Sequence, residues 1–318
     1  KERLTGVCQS NGIKAVFFDG RGGPPARGGG RTHRFYAAQS NRIANHEIQL
    51  TIQGQTISSK YGTKEHFIHN SEQLLTASLY NSLFAEKNRI SEKQRGLIEQ
   101  LSDISFEKYN TLKNHEKFLP YLENRSTLKY YGQTNIGSRP AKRGQKKKLE
   151  LSDLRAISYV GSWSQLKQNV PGYFGIGTAL KKLADEGKTE ELKSLFSEVP
   201  FFRALMQNSM MALSKCYFEL TSYMDKDIEY GEFWNILYDE YKLSKKMLLL
   251  ISGYSMLMEE EPISRRSVAI REKIVLPLLV IQQYALQKIE QGTAQKETYQ
   301  KIVQRSLYGN VNAARNSA

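Results

Sequence analysis

One stretch near the start sets the character of this sequence: Val16-Phe17-Phe18-Asp19-Gly20-Arg21-Gly22-Gly23-Pro24-Pro25-Ala26-Arg27-Gly28-Gly29-Gly30-Arg31. An apolar run rich in β-forming residues, Ile13 to Phe18, leads into a glycine-dense loop that carries arginines. Glycine lets a ligand approach bare backbone amides, and successive exposed N–H groups form an anion-binding nest. Arginine adds a planar fork that matches carboxylate or phosphate oxygens. The pattern therefore predicts a strand followed by a site for a small, multiply charged anion.

Two other interpretations of this loop remain open. A Gly/Arg-rich segment is also typical of flexible linkers and of tracts that bind nucleic acid. Against both, the glycines are confined to one short loop, and a strand with the pattern of a buried strand precedes it. The loop is neither a Walker A pattern nor a dinucleotide-binding fingerprint. By itself it indicates a class of ligand and no reaction.

Composition limits the class of protein. The chain has 318 residues, of which 40% are hydrophobic, so it can hold one large domain or two ordinary ones. Its net charge of +14 allows nucleic acid, acidic membranes or small anions as partners. The two cysteines, Cys8 and Cys216, argue against a disulfide framework and fit a reducing cytoplasm. The five histidines show no metal-ligand spacing, and the longest apolar runs are too short to span a bilayer. We therefore predict neither a metal site nor a membrane segment.

The first half of the chain mixes helices with short strands. Periodicity predicts helices over 1–11 and 32–44 and a short β element or hairpin over 47–57. Long helical periods begin at Asn70, and Ser91 with Gln94 predicts a capping box. That helix is expected to end near Phe118. A basic, poorly helical stretch follows at 132–148, and Leu154 to Val160 then predicts a second short strand, interrupted by Arg155.

The second half is predicted to be helical throughout, with helices over 177–186, 189–197, 201–225, 230–240, 243–258, 263–290 and 294–308. Pro277 predicts a kink or break in the helix that contains it. The tail from Asn310 has small and polar residues, which are typical of disorder.

Five motifs, in order along nearly the whole chain, resemble the C-terminal part of phosphoenolpyruvate carboxylases. They are Gly20-Arg21-Gly22-Gly23 with Arg27-Gly28-Gly29, Gly137-Ser138-Arg139-Pro140-Ala141-Lys142-Arg143, Leu154-Arg155-Ala156-Ile157, Trp163-Ser164-Gln165 and Gly175-Ile176-Gly177-Thr178-Ala179-Leu180. The resemblance implies a mainly α chain with a few short β-strands, forming the C-terminal part of a helix-rich (β/α)8 TIM-type barrel. Residues 1–160 would hold the last barrel strands and 161–318 a helical bundle. The chain is expected to be roughly the last third of the enzyme, with its true C-terminus, and inactive alone.

The resemblance also implies a reaction and its residues. This family joins bicarbonate to phosphoenolpyruvate with Mg²⁺ or Mn²⁺, giving oxaloacetate and phosphate through carboxyphosphate and an enolate. Because negative charge concentrates on the transferring groups, fixed cations are the expected solution. Arg21 and Arg155 are expected to contact the phosphate, with Gly22 and Gly23 beside it, and Arg27 to act near the bicarbonate. Arg139 either binds the anion or holds the loop. The metal ligands are expected outside this chain.

Regulation and assembly follow from the same resemblance. Family members are inhibited by aspartate or malate at four residues, which correspond here to Arg27, Lys215, Arg271 and Asn316. The hypothesis is that the inhibitor pulls Arg27 away from the active site, with the tail tucked in through Asn316. The resemblance further implies a cytoplasmic homotetramer that binds neither nucleic acid nor membrane. The fragment alone would expose surface that is normally covered.

One departure from the family pattern affects the loop directly. The family histidine before the loop arginine is Asp19 here, and a carboxylate beside arginines weakens an anion site unless it is paired. His33 or Arg34 is the guess for the compensating cation. Two other functions stay open: a paralogue that has lost catalysis but keeps the effector site, and a basic helical module that binds nucleic acid.

Overall fold

The computed structural model describes residues 1–20, 31–40, 42–44, 47–52, 55–84, 90–133 and 150–314. Within these ranges the chain is mainly helical, as the sequence predicts. The α-helices are α1 (Glu2–Ser10), α2 (Thr32–Ala37), α3 (Gln55–Tyr61), α4 (Lys64–Leu83), α5 (Glu92–Lys113), α6 (Phe118–Arg125), α7 (Leu128–Tyr131), α8 (Ala156–Gln165), α9 (Ile176–Asp185), α10 (Thr189–Glu198), α11 (Pro200–Ser214), α12 (Gly231–Ser252), α13 (Pro262–Glu290) and α14 (Lys296–Ala314). Short 3-10 helices span Leu151–Asp153, Val170–Gly172 and Phe218–Lys226.

The sheet within the described residues has two short parallel strands, β1 (Phe17–Asp19) and β2 (Ile48–Leu50). Phe17 pairs with Ile48 and Asp19 with Leu50. A helix, α2, lies between the strands in sequence, so the unit is strand–helix–strand. The β element over 47–57 is confirmed at 48–50, but the hairpin alternative is wrong because β2 pairs in parallel with β1.

Several predicted boundaries need correction. The strand predicted over 154–160 is wrong, because α8 begins at Ala156 and buries Val160 and Trp163. A short apolar run has no periodicity that separates a buried strand from a buried helix, and here the helical alternative is realised. The long helix ends at Lys113 rather than near Phe118, which instead begins α6. Helix α2 stops at Ala37, well before residue 44.

The second half follows its helical pattern closely, with four differences from the prediction. The helix predicted over 201–225 ends at Ser214 and continues as a 3-10 helix, while the helices predicted over 230–240 and 243–258 form the single helix α12. Pro277 lies inside α13 without breaking it. The disorder expected from Asn310 is wrong as far as Ala314, because α14 extends to that residue.

The main core lies between α5, α9, α10, α11 and α12, where leucines and methionines such as Leu180, Leu195 and Met210 are buried. The capping box at Ser91 and Gln94 is confirmed at the start of α5, whose Leu97 and Leu101 point into this core. A second, aromatic cluster surrounds α8 and contains Phe118, Tyr121, Trp163, Phe218, Phe233 and Trp234. Helix α8 is thereby fixed inside the protein.

Close packing explains the glycine motif before α9. Gly175 has a φ of +98°, and a Cβ on Gly177 would lie 2.4 Å from the backbone nitrogen of Ser244 in α12. Helices α9 and α12 therefore touch backbone to backbone. The buried carboxylate of Glu240 in α12 accepts hydrogen bonds from the backbone N–H groups of Gly175 (3.1 Å) and Thr178 (3.0 Å). It satisfies helix-start donors that would otherwise be unpaired. This motif is structural.

No helix among the described residues is both long and apolar enough to cross a membrane.

Candidate functional site

The sequence-predicted site residues fall into two groups. Arg21, Gly22, Gly23, Arg27, Arg139 and Asn316 lie outside the described residues. Arg155, Lys215 and Arg271 lie within them.

Arg155 lies immediately before the first turn of α8, in an extended conformation with φ −90° and ψ 144°. Its side chain is partly buried, and among the described residues its buried Nε has no hydrogen-bond partner. The carbonyl of Arg155 accepts a hydrogen bond from Ser158 Oγ at 3.0 Å, which steadies this first turn. A partly buried guanidinium beside the positive end of a helix is a favourable place for an anion.

The glycine–arginine stretch begins at a neutralised carboxylate. Asp19, at the end of β1, forms an ion pair with Lys1 Nζ at 2.6 Å and accepts a hydrogen bond from Tyr36 Oη at 2.7 Å. The compensating cation is therefore Lys1 and not the guessed Arg34, which pairs with Glu261 instead. The negative charge of Asp19 is therefore offset by the ion pair with Lys1.

The other end of this stretch is also anchored. Arg31 and Arg34 both pair with the buried carboxylate of Glu261, at 3.2 and 2.8 Å. Arg31 also donates a hydrogen bond to Ser264 Oγ at 2.9 Å, and Arg34 to Gln207 Oε1 at 3.2 Å. Both ends of the stretch are thus held by ion pairs.

A second site lies where the C-terminal end of α8 meets α13 and α14. Lys167 is buried, with 4% of its surface exposed, and its Nζ lies 2.6 Å from Glu272 Oε2. Lys215 and Arg271 are partly buried, and neither forms a salt bridge or hydrogen bond with another described side chain. Three cations thus share the site with one carboxylate. Lys167, Lys215 and Glu272 line a pocket that we call the basic pocket, and Arg271 acts on Lys215 from outside this lining. The lining residues are Ser164, Gln165, Lys167, Asn169, Lys215, Glu272, Val275, Leu279, Asn310 and Ala314.

The charge of Lys215 is disfavoured by its surroundings. Burial, followed by the neighbouring charges of Lys167 and Arg271, lowers the pKa of Lys215 to about 8, and Glu272 opposes this shift. A lysine that is desolvated beside other cations gains most from a bound anion, because the anion stabilises its charged form. The sequence prediction that Lys215 and Arg271 lie close together is consistent with this interaction.

Polar side chains complete the basic pocket. Asn310 of α14 is buried and donates a hydrogen bond to Gln165 Oε1 of α8 at 3.1 Å. Ser164 Oγ donates to Asn169 Oδ1 at 3.0 Å. Among the described residues, the buried Oδ1 of Asn310 has no partner. The pocket therefore offers both charge and hydrogen-bonding groups.

The loop after α8 is strained where it enters the basic pocket. Lys167 and Asn169 both have left-handed backbones, with φ of +55° and +42°. Such conformations are costly for residues other than glycine and concentrate at functional sites. The loop is held by a hydrogen bond from the Tyr217 N–H to the Lys167 carbonyl at 2.8 Å.

Sequence reasoning missed Lys167, Glu272 and Asn310. Lys167 follows the quoted Trp163-Ser164-Gln165 motif by two residues, and Glu272 directly follows Arg271, so proximity to the motifs was a usable signal. What the sequence could not supply is their pairing, since 105 positions separate them (272 − 167). Asn310 fell in a tail expected to be disordered.

No group of three or more His, Cys, Asp or Glu side chains in the described ranges could hold a metal ion.

Comparison with known proteins gives a consistent result. The family model for phosphoenolpyruvate carboxylase matches residues 1–315. A phosphoenolpyruvate carboxylase of Corynebacterium glutamicum is 36% identical over 327 aligned residues, covering 99% of this chain and 35% of the relative. One from Thermosynechococcus vestitus is 32% identical over 320 residues, covering 97% of this chain and 31% of the relative. The chain thus spans about a third of the length of these curated relatives.

Proposed function

Because the chain belongs to the phosphoenolpyruvate carboxylase family, we propose that it supplies part of the active site and the effector site of an enzyme that carboxylates phosphoenolpyruvate with bicarbonate. The products are oxaloacetate and phosphate. The observation that carries the proposal is the family match over residues 1–315. The strand–helix–strand unit of β1, α2 and β2 supports the further proposal of a (β/α)8 barrel, whose repeating unit it is.

In the proposed reaction this chain contributes fixed positive charge. Arg155 offers a guanidinium with an unpartnered, buried Nε at the start of α8, which suits a phosphate oxygen. Arg21, with the amides of Gly22 and Gly23, is proposed to bind the same phosphate, Arg27 the bicarbonate, and Arg139 either the anion or the loop. Such preorganised cations stabilise the charge that develops as phosphoryl and carboxyl groups move. The divalent cation, Mg²⁺ or Mn²⁺, is proposed to be bound by ligands outside the described residues.

The activity is tested in the full-length protein. Oxaloacetate formation from phosphoenolpyruvate and bicarbonate is coupled to malate dehydrogenase, and wild type is compared with Arg155→Ala and Arg155→Lys. We expect Arg155→Ala to lower kcat/KM by at least about a hundredfold, because one fixed transition-state contact is lost. Arg155→Lys keeps the charge but not the fork, so its loss should be smaller.

The matched control is Arg305→Ala, which removes an exposed arginine of α14. Equal activity of Arg155→Ala and Arg305→Ala would contradict the proposed role of Arg155. Absence of oxaloacetate formation in folded wild type would instead favour a paralogue without catalysis.

We propose that the basic pocket is part of the effector site for aspartate or malate. The support is the family membership together with two unpaired cations, Lys215 in the lining of the pocket and Arg271 close to Lys215. The other two expected ligands, Arg27 and Asn316, lie outside the described residues. Inhibition by aspartate should be lost in Lys215→Met and kept in Lys245→Met, an exposed lysine of α12. Equal inhibition of both variants would sink this assignment. The family membership also supports a cytoplasmic homotetramer. Light scattering of the full-length protein, which measures its mass in solution, tests the tetramer.

A further inference from the structure

The basic pocket contains a carboxylate of its own. Glu272 Oε2 lies 2.6 Å from Lys167 Nζ in a pocket that Lys215 also lines, and Arg271 acts on Lys215 from outside the lining. The remaining cavity measures about 20 Å³, enough for one water molecule and far too small for a four-carbon dicarboxylate. The Glu272 carboxylate therefore occupies part of the space that an anionic ligand would need.

The charges also have a definite sum. Lys167 and Glu272 cancel, which leaves the two positive charges of Lys215 and Arg271 without a partner among the described side chains. A dicarboxylate carries two negative charges, which equals in magnitude the net charge of these four side chains. Cations that are partly buried without a partner are unfavourable, and a ligand that pairs them is favoured for that reason.

Lys167 is held in place more firmly than its partner Glu272. The backbone of Lys167 has a left-handed conformation, with φ of +55°, and its carbonyl accepts a hydrogen bond from the Tyr217 N–H. Its side chain is buried. Glu272, by contrast, has a side chain that is 23% exposed and lies on the surface-facing side of the pair. Of the two partners, Glu272 is the one that can swing toward solvent.

From these contacts we propose that Lys167 is a further ligand of the effector site and that Glu272 is a resident competitor: a carboxylate of the effector displaces Glu272 from Lys167. The proposal rests on the effector site proposed above. Glu272 would then lower the affinity of the site for its effector, and a higher dicarboxylate concentration would be needed to fill the site.

The test is calorimetric binding of malate to the full-length protein, with no turnover involved. We compare wild type, Glu272→Gln, Lys167→Met and the control Glu297→Gln, which removes an exposed carboxylate of α14. Glu272→Gln should bind malate about tenfold or more tightly than wild type, since a charge a few ångströms from the ligand is removed. Lys167→Met should bind at least about tenfold more weakly, and Glu297→Gln should match wild type.

Thermal unfolding confirms that each variant is folded, and Glu272→Ala repeats the measurement where Glu272→Gln is not. If wild type binds malate and both Glu272 variants bind it equally or more weakly, Glu272 is not a competitor. The proposed effector site would still stand. Binding to Glu272→Gln alone would support it, as a competitor strong enough to keep malate out. No binding to any variant would overturn both proposals.

Discussion

Lys215 has a charge state that depends on its burial and on three charged neighbours. It faces Lys167 from the loop after α8 and Arg271 and Glu272 from α13, and its pKa is lowered to about 8. Its ammonium group is therefore charged below pH 8 and loses its proton as the pH rises through that value. A bound dianion favours the charged form.

Binding of malate should consequently weaken with rising pH. Between pH 7 and pH 9 the charged fraction of free Lys215 falls to about a tenth, so the affinity should drop by up to about tenfold. Malate has no amine, so its own charge stays constant over this range. Calorimetry on wild type and Lys215→Met checks this; an affinity of wild type that is the same at both pH values would contradict it.

Arg125 is the residue that we expect to matter most for stability. It is buried, pairs with both Asp227 and Glu290, and its guanidinium lies 4.9 Å from the ring centre of Tyr230. Arg125→Met should destabilise the protein by about 3 kcal/mol, because Asp227 is left partly buried without its partner.

The effect is measured by thermal unfolding, where Arg125→Met should have a lower midpoint than wild type. Adding Asp227→Asn to the same variant should recover part of the loss, since the unpaired charge is then removed. An unchanged midpoint in Arg125→Met would show that the ion pairs contribute nothing net.

At the residue scale, the sequence can nominate individual candidate site residues but not their pairing. Arg155, Lys215 and Arg271 could be chosen from motifs, and the capping box at Ser91 from local chemistry alone. The pairing of Lys167 with Glu272 depends on where α8 and α13 meet in space, which no local pattern encodes.

At the scale of elements, α8 is the connection between the two proposed sites. Arg155 precedes its first turn and Gln165 ends it, with the basic pocket beside that end. Ten residues of α-helix span about 15 Å, so one short rigid element carries residues of both sites. The sequence placed Arg155 in a strand, because a buried apolar run is typical of both elements.

The contact of α9 with α12 gives a prediction for a helix pair. Gly177→Ala would place a methyl group 2.4 Å from the Ser244 backbone nitrogen, and the two helices must separate to admit it. We expect a loss of about 1–3 kcal/mol, seen as a lower midpoint of thermal unfolding.

Gly96→Ala is the matched control for Gly177→Ala. Gly96 lies within α5, and a Cβ there would have no heavy atom within 4 Å. That variant should be slightly more stable than wild type, by about 0.5–1 kcal/mol, because alanine favours helix. If both variants behave alike, backbone contact between α9 and α12 does not explain the glycine motif.

At the scale of the molecule, two helices expose apolar stripes. Leu75, Leu79 and Leu83 of α4 are 66%, 61% and 73% exposed, at a spacing that puts them on one face. Along α13 a second stripe consists of the exposed Ile263, Ile270, Ile274, Ile281 and Tyr284. Contiguous apolar surface of this kind favours association.

The 318-residue chain alone should therefore self-associate. We expect its mass by light scattering to rise with concentration above the 36.4 kDa of one chain. Charged substitutions in the α13 stripe, such as Ile274→Glu and Ile281→Glu, should reduce this rise. A constant mass of one chain at all concentrations would contradict the expectation.

At this scale the sequence predicted the mainly helical class and the family. The family could be identified because its motifs keep their order along the chain even where the residues between the motifs differ. It did not predict where helices join or divide, as at α12, since tertiary packing decides those boundaries.

The proposed function is tested most directly by the initial rate of oxaloacetate formation by the full-length protein, from phosphoenolpyruvate and bicarbonate with Mg²⁺, beside the Arg21→Ala variant. We expect bicarbonate-dependent activity in wild type, at least about a hundredfold less in Arg21→Ala, and inhibition of wild type by aspartate. Folded wild type that forms no oxaloacetate would contradict the proposed function.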